Sequence, residues 1–196
     1  MATRHLTPPD SEVLERIVLI GFMCSGKSSV AAALARRLEW RFVDFDVEIE
    51  RREDRTIAEV VARDGDEYLR ALEADLTAEL ARARGIVLAP GGGWITRPEL
   101  LEGMRAGTLA VWLQVGPAEA VRRLHEDDID RPLRHHPEPE AAIRAILEER
   151  QPLYRRADVA VPGDRRSVEQ VAFEIEQLAR TRGLAAARRR GDVYED

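Results

Sequence analysis

The chain has 196 residues, 44% hydrophobic and 34% charged, the proportions of an ordinary globular protein, and no break in composition divides it, so one compact domain over about 16–180 is expected. A Lys+Arg count of 30 against an Asp+Glu count of 36 leaves a net charge of −6, which argues against nucleic acid as a partner. The single cysteine, Cys24, rules out an internal disulfide, and without a signal-peptide-like start or a run of ~18 apolar residues the expectation is a cytoplasmic protein outside any membrane.

Residues 1–15, with Pro8 and Pro9, read as an N-terminal extension. Ile17–Ile20 is a short apolar run ending at Gly21, which suits a strand buried on both faces of a parallel sheet. A helix is predicted over Ser28–Leu38 and a second strand over Arg41–Phe45, followed by helical spacing over Thr56–Ala62 and Asp66–Ala83. Ile86–Ala89 is a third strand, stopped by Pro90 and three glycines. Pro98–Arg105 reads as a helix, Thr108–Val115 as a fourth strand, and Pro117–Leu124 as a helix with proline in its first turn. The polar stretch His125–Pro139 has no periodicity. A helix over Glu140–Arg150, a strand over Asp158–Val161 and a helix over Ser167–Ala179 follow, and the arginine-rich residues 181–196 read as a solvated tail. Strands alternating with helices imply an α/β fold with a parallel sheet, whose ligands bind beyond the carboxyl ends of the strands. Gly21, Asp44, Asp46 and Gly91–Gly93 all follow predicted strands at that edge.

The segment G-F-M-C-S-G-K-S, Gly21 to Ser28, fits G-x-x-x-x-G-K-[ST] between a strand and a helix. Its glycines let successive N–H groups turn inward on a phosphate, to which the following helix adds its positive end. Gly21, Cys24, Ser25, Gly26, Lys27, Ser28 and Ser29 are therefore the candidate ATP-binding residues, with Lys27 bridging the β- and γ-phosphates and Ser28 a ligand of Mg2+. The loop identifies the nucleotide and leaves the acceptor open. Asp44 ends the neighbouring strand within reach of the metal, directly or through water. If the chain stays extended, Asp46 shares a face with Asp44 and can accept a proton or hydrogen bond from a substrate hydroxyl; otherwise one of the two caps the next helix.

From Phe42 to Glu50, F-V-D-F-D-V-E-I-E resembles the acidic segment of shikimate kinases, and further pieces follow in that family's order. D-G-D-E-Y-L-R-A-L-E at Asp64–Glu73 is similar to its substrate-binding segment, and P-G-G-G at Pro90–Gly93 to its glycine triplet. R-P-L at Arg131–Leu133 resembles its lid arginine, and R-Q-P-L-Y at Arg150–Tyr154 its C-terminal arginine motif. The resemblance covers about residues 16–178. It implies a three-layer, nucleoside-monophosphate-kinase-like P-loop fold with a five-stranded parallel sheet, a substrate-binding segment at about 46–80 and a lid at about 124–139. The activity implied is ATP-dependent phosphorylation of the 3-hydroxyl of shikimate, in the chorismate route to aromatic amino acids, by a monomer. By position, Asp46, Arg70, Gly92, Gly93 and Arg150 would hold shikimate, Lys27, Ser28 and Asp44 would serve Mg-ATP, Arg131 would close over the phosphates, and Arg123 would pack against adenine.

Shikimate is a carboxylate with three hydroxyls, so its site needs cations for the acid and a carboxylate for an alcohol. Arg70 and Arg150 meet the first need and Asp46 the second, while Glu73, one helical turn past Arg70, can hold that guanidinium in place. The proline-punctuated lid would exclude water and bring Arg131 to the transferring group, with His135 and His136 on its surface. Leu69 and Val61 stand where the family has phenylalanines, and Trp94 where a small residue is common. Trp94 is expected either to refill the lost pocket volume or to pack in the core. A kinase of another small polyhydroxy acid such as gluconate, or a non-catalytic ATP-binding regulator, are the alternatives left open. Cys24, the lone thiol, sits near a helix end that favours anions.

Overall fold

The computed structural model describes residues 13–127 and 132–183. Five strands, β1 (Arg16–Ile20), β2 (Arg41–Asp44), β3 (Ile86–Ala89), β4 (Thr108–Gln114) and β5 (Val159–Pro162), form one sheet in the order β2-β3-β1-β4-β5, parallel throughout. β1 lies between β3 and β4, and all five of its residues are buried, as its unbroken apolar run requires.

Side chains alternate across the sheet and build a core on each face. Ile17 and Leu19 pack with helices α1 (Lys27–Leu38) and α8 (Val168–Thr181), while Val18 and Ile20 point to the other face. On that side lie α2 (Phe45–Glu53), α3 (Ile57–Asp64), α4 (Asp66–Leu80) and α5 (Pro98–Gly103), so the molecule has the three layers of a P-loop kinase. A third cluster, around Phe22, Ala120, Leu124 and Ile143, joins the phosphate loop to α6 (Pro117–Glu126) and α7 (Pro139–Tyr154).

Local chemistry sets the helix boundaries. Thr56 with Glu59 and Ser167 with Gln170 form capping boxes that start α3 and α8. α1 begins at Lys27, one residue before the expected start, because Gly26 adopts the left-handed conformation at φ 92° and turns the chain directly into the helix. α7 continues past Arg150 through Pro152 to Tyr154, and α4 stops at Leu80 rather than at Ala83. β2 is where expectation and structure part. The strand ends at Asp44, and Phe45 already opens α2, so Asp44 and Asp46 do not alternate along an extended chain. Asp44 instead caps α2, accepting from Asp46 N–H at 3.0 Å and Val47 N–H at 3.4 Å.

The proposed lid segment lies partly outside the described residues, and Arg131 with it. Its described return limb forms a 3₁₀ turn at Pro132–His135, fastened to the end of α6 by Arg134, which donates to Leu124 O at 2.7 and 3.0 Å and to Asp127 O. No helix among the described residues is long and apolar enough to cross a membrane.

Trp94 packs in the core. It is 1% exposed, shares a cluster with Leu69 and Val61, and donates from its indole nitrogen to Thr77 Oγ1 at 2.9 Å. Its bulk therefore fills the layer that holds the two residues smaller than phenylalanine. Trp94→Ala is expected to cost about 3–5 kcal/mol in urea unfolding by opening a cavity under the sheet. Val47→Ala, at a side chain 63% exposed, should change stability by less than about 0.5 kcal/mol in the same experiment.

Candidate active site

β1 delivers the phosphate loop. Gly21 follows the strand where a Cβ would lie 2.5 Å from Leu113 O on β4, a close approach that admits only glycine. The loop then reverses through Ser25 N–H to Phe22 O at 3.2 Å, with Cys24 held in the left-handed region at φ 58°. Lys27 folds back over this turn, and its Nζ donates to Gly21 O at 3.0 Å and Phe22 O at 2.8 Å. The ammonium thus sits at the rim of the cradle its own backbone forms.

A cleft of about 270 Å³ opens above the loop. Cys24, Gly26, Lys27, Ser28 and Ser29 line one side, and Asp44, Asp46 and the Pro90–Gly92 turn line the other. Three adjacent strand ends, those of β1, β3 and β2, place the two groups opposite one another. Met23 and Asp127 also line the cleft. Neither carries a signal in the sequence: Met23 is a variable position of the loop, and Asp127 lies within an aperiodic stretch.

The glycine turn after β3 is built around approaching side chains. A Cβ on Gly91 would meet Glu73 Oε1 at 2.7 Å and Asp46 Oδ1 at 3.0 Å, and one on Gly92 would meet Met23 N at 3.2 Å. A Cβ on Gly93 would overlap the Arg70 guanidinium. Arg150, from the last turns of α7, donates to Gly92 O at 3.0 Å. The turn therefore gathers Asp46, Arg70 and Arg150 from α2, α4 and α7 at the edge of the phosphate cleft.

Arg70 is fixed by two carboxylates on its own helix. Its Nη1 lies 2.5 Å from Glu73 Oε2 and its Nη2 2.9 Å from Asp66 Oδ1. Glu73 is only 1% exposed, and its other oxygen, Oε1, is buried without a hydrogen bond among the described residues. Burial pushes the Glu73 carboxyl above its ordinary range; Arg70 opposes the rise and the Asp46 charge adds to it. Asp66 went unnoticed in the sequence, although a carboxylate four residues before an arginine on a helix is a recognisable pair.

A second cavity, about 360 Å³, lies on the far side of the loop between Ser25, Gly26, Ser29, Arg123, Gly163 and Ser167. Arg123 spans its floor, donating to Ser25 O at 3.1 Å and Gly163 O at 2.7 Å while Glu119 holds its Nε at 2.7 Å. The guanidinium is anchored at three points and offers a flat face. No group of three or more metal-ligating side chains occurs among the described residues. His135 closes the 3₁₀ turn, and the His136 N–H that follows donates to Leu133 O at 3.3 Å.

Comparison with known proteins gives the chain its relatives. Residues 23–180 match the family model described as shikimate kinase. A shikimate kinase of Synechococcus sp. is 40% identical over 181 residues, spanning 90% of this chain and 94% of that protein. The structure of a shikimate kinase from Acinetobacter baumannii in complex with shikimate matches with a TM-score of 0.80 at 32% identity, covering 89% of this chain and 97% of that one. A gluconokinase structure from Sinorhizobium meliloti has a TM-score of 0.56 at 20% identity, covering 87% of this chain and 96% of that one, a likeness of fold alone.

Cys24 is half-buried and lines the cleft beside Lys27 and Ser28, so a thiol adduct there would fill the space above the loop. Alkylation with N-ethylmaleimide should abolish ATP binding, and saturating ATP should slow the modification. A rate of modification indifferent to nucleotide would place the thiol outside the nucleotide site.

Proposed function

The chain belongs to the shikimate kinase family, and from that membership we propose that it transfers the γ-phosphoryl group of ATP to the 3-hydroxyl of shikimate, giving ADP and shikimate 3-phosphate. One observation carries the residue assignment. Asp46 and the glycine turn face Lys27 and Ser28 across a single cleft, with Arg70 packed on Gly93 and Arg150 bonded to Gly92 at its edge. A carboxylate able to receive an alcohol's proton, two guanidinium groups able to bind a carboxylate and a cradle for phosphate thus border one small cleft.

The backbone N–H groups of residues 21–28 and the amino end of α1 receive the phosphates. Lys27 exchanges a loop carbonyl for the β- and γ-phosphate oxygens, a move that needs only rotation of its side chain. Arg123 presents its plane to adenine in the second cavity, and the buried Ser25 hydroxyl, which lacks a hydrogen bond among the described residues, has a donor to offer there. Arg70 and Arg150 bind the shikimate carboxylate, assisted by the backbone at Gly92 and Gly93. Asp46 then orients the 3-hydroxyl in line with the γ-phosphorus and takes its proton as the new P–O bond forms and the bond to ADP breaks.

Ser28 and Asp44 fit a magnesium ion. Both line the cleft, and Asp44 spends only Oδ1 on capping α2. Magnesium held there would supply positive charge to the phosphate oxygens. Arg131, outside the described residues, would by the family resemblance add a further cation. The net charge of −6 disfavours a nucleic-acid partner, and we read the working unit as a cytoplasmic monomer.

A coupled assay with shikimate and gluconate in parallel tests the acceptor. Turnover of gluconate with none of shikimate at millimolar concentration would transfer the assignment to another polyhydroxy acid, and turnover of neither would favour the ATP-binding regulator. Asp46→Asn should lower kcat by about 10²- to 10⁴-fold, with ATP affinity by calorimetry unchanged. Nearly full kcat in that variant would remove Asp46 from the reaction.

A further inference from the structure

The guanidinium assigned to the acceptor's carboxylate already holds a carboxylate of this chain. Arg70 Nε donates to Asp66 Oδ2 at 3.3 Å and Nη2 to Asp66 Oδ1 at 2.9 Å. This is the side-on, two-point fork by which arginine recognises carboxylates in general. Nη1 is meanwhile given to Glu73.

The two acidic partners differ in how firmly they are held. Glu73 has a side chain 1% exposed, locked beneath the glycine turn, whereas the Asp66 side chain is 65% exposed in the first residue of α4. An exposed ion pair is weak. Once released, Asp66 stays at the amino end of α4, where the helix dipole favours its charge. The guanidinium has less freedom, because it is packed on Gly93 and tied to Glu73. A carboxylate arriving at Arg70 therefore meets either an occupied fork or, end-on, a like charge beside it.

We infer that Asp66 is a specificity-determining residue which occupies the carboxylate fork of Arg70 in the acceptor-free enzyme and is displaced by the carboxylate of the acceptor. This rests on the acceptor reading above. Asp66 makes the site selective as well as weaker: a neutral polyol cannot displace it and finds Arg70 closed, while an anion exchanges one carboxylate for another. The competition also sets acceptor affinity below what Arg70 and Arg150 would give unopposed.

Asp66→Asn in the full chain tests the exchange, since it removes the charge and keeps the size. The KM for shikimate should fall about two- to five-fold, the range of a single exposed ion pair. The kcat, the KM for ATP and the KM for shikimate methyl ester should be unchanged. Asp66→Glu should restore the original KM, and Asp66→Ser, which suits a helix start, should repeat the fall and guard against a folding artefact. A KM for shikimate that stays constant overturns the inference. One that rises also overturns it, making Asp66 a support for Arg70 rather than its competitor. If the unmodified chain turns over shikimate and only the shift is missing, this inference alone fails; without turnover of shikimate by the unmodified chain, both readings fail.

Discussion

Everything in the cleft depends on three neighbouring parallel strands ending at the same level. β2, β3 and β1 adjoin one another, so their carboxyl ends deliver Asp44, the Pro90–Gly93 turn and Gly21 to one edge of the sheet. A parallel sheet needs apolar cover on both faces, and the cover supplied by α1 and α8 on one side and by α2 to α5 on the other leaves this edge open to a ligand. Asp46, Arg70 and Arg150 are carried by α2, α4 and α7, and Lys27 and Ser28 by α1. Their relative position is therefore as rigid as the hydrogen bonding between β1, β3 and β2.

Within that frame the glycine turn acts as a spacer of minimum thickness. Side chains of α4 and α2 and the backbone of the phosphate loop press against Gly91, Gly92 and Gly93, and a methyl group at any of them would meet an atom at 3.2 Å or less. The backbone is thin here so that Glu73, Asp46 and Arg70 can approach one another. A buried acid beside a second carboxylate is electrostatically costly, and Arg70 offsets that cost from within the same helix. Binding chemistry and stability are thus drawn from the same few contacts.

Much of this was legible in the sequence where the signal is local. The strand, glycine loop and helix of residues 16–38 each leave a pattern of their own, and together they located the strand–loop–helix unit to within one residue of its helix start. The acidic segment misled for a physical reason. In F-D-V-E-I-E the apolar residues Phe45, Val47 and Ile49 alternate with acids as they would on a strand, yet Phe45 and Ile49 are buried and Val47 is exposed, the spacing of a helix face. The better clue was the aspartate itself, since Asp44 is a strong helix cap. Trp94 was undecidable from spacing, because its partner Thr77 is 17 residues away on α4. Arg70 and Arg150 were found through family motifs, while the carboxylate that holds the outer edge of Arg70 lay one helical turn upstream, unremarked.

Asp44 makes the two halves of the site mechanically continuous. A single oxygen, Oδ1, takes the N–H groups of both Asp46 and Val47, so the first turn of α2 hangs from the end of β2 by this side chain. Any ligand drawing on the remaining oxygen tugs the same carboxylate, and with it the segment bearing Asp46. The binding energies on the two sides of the cleft are then linked rather than additive, and linkage is reciprocal: whatever filling one side does to affinity on the other, the reverse order of filling must do equally.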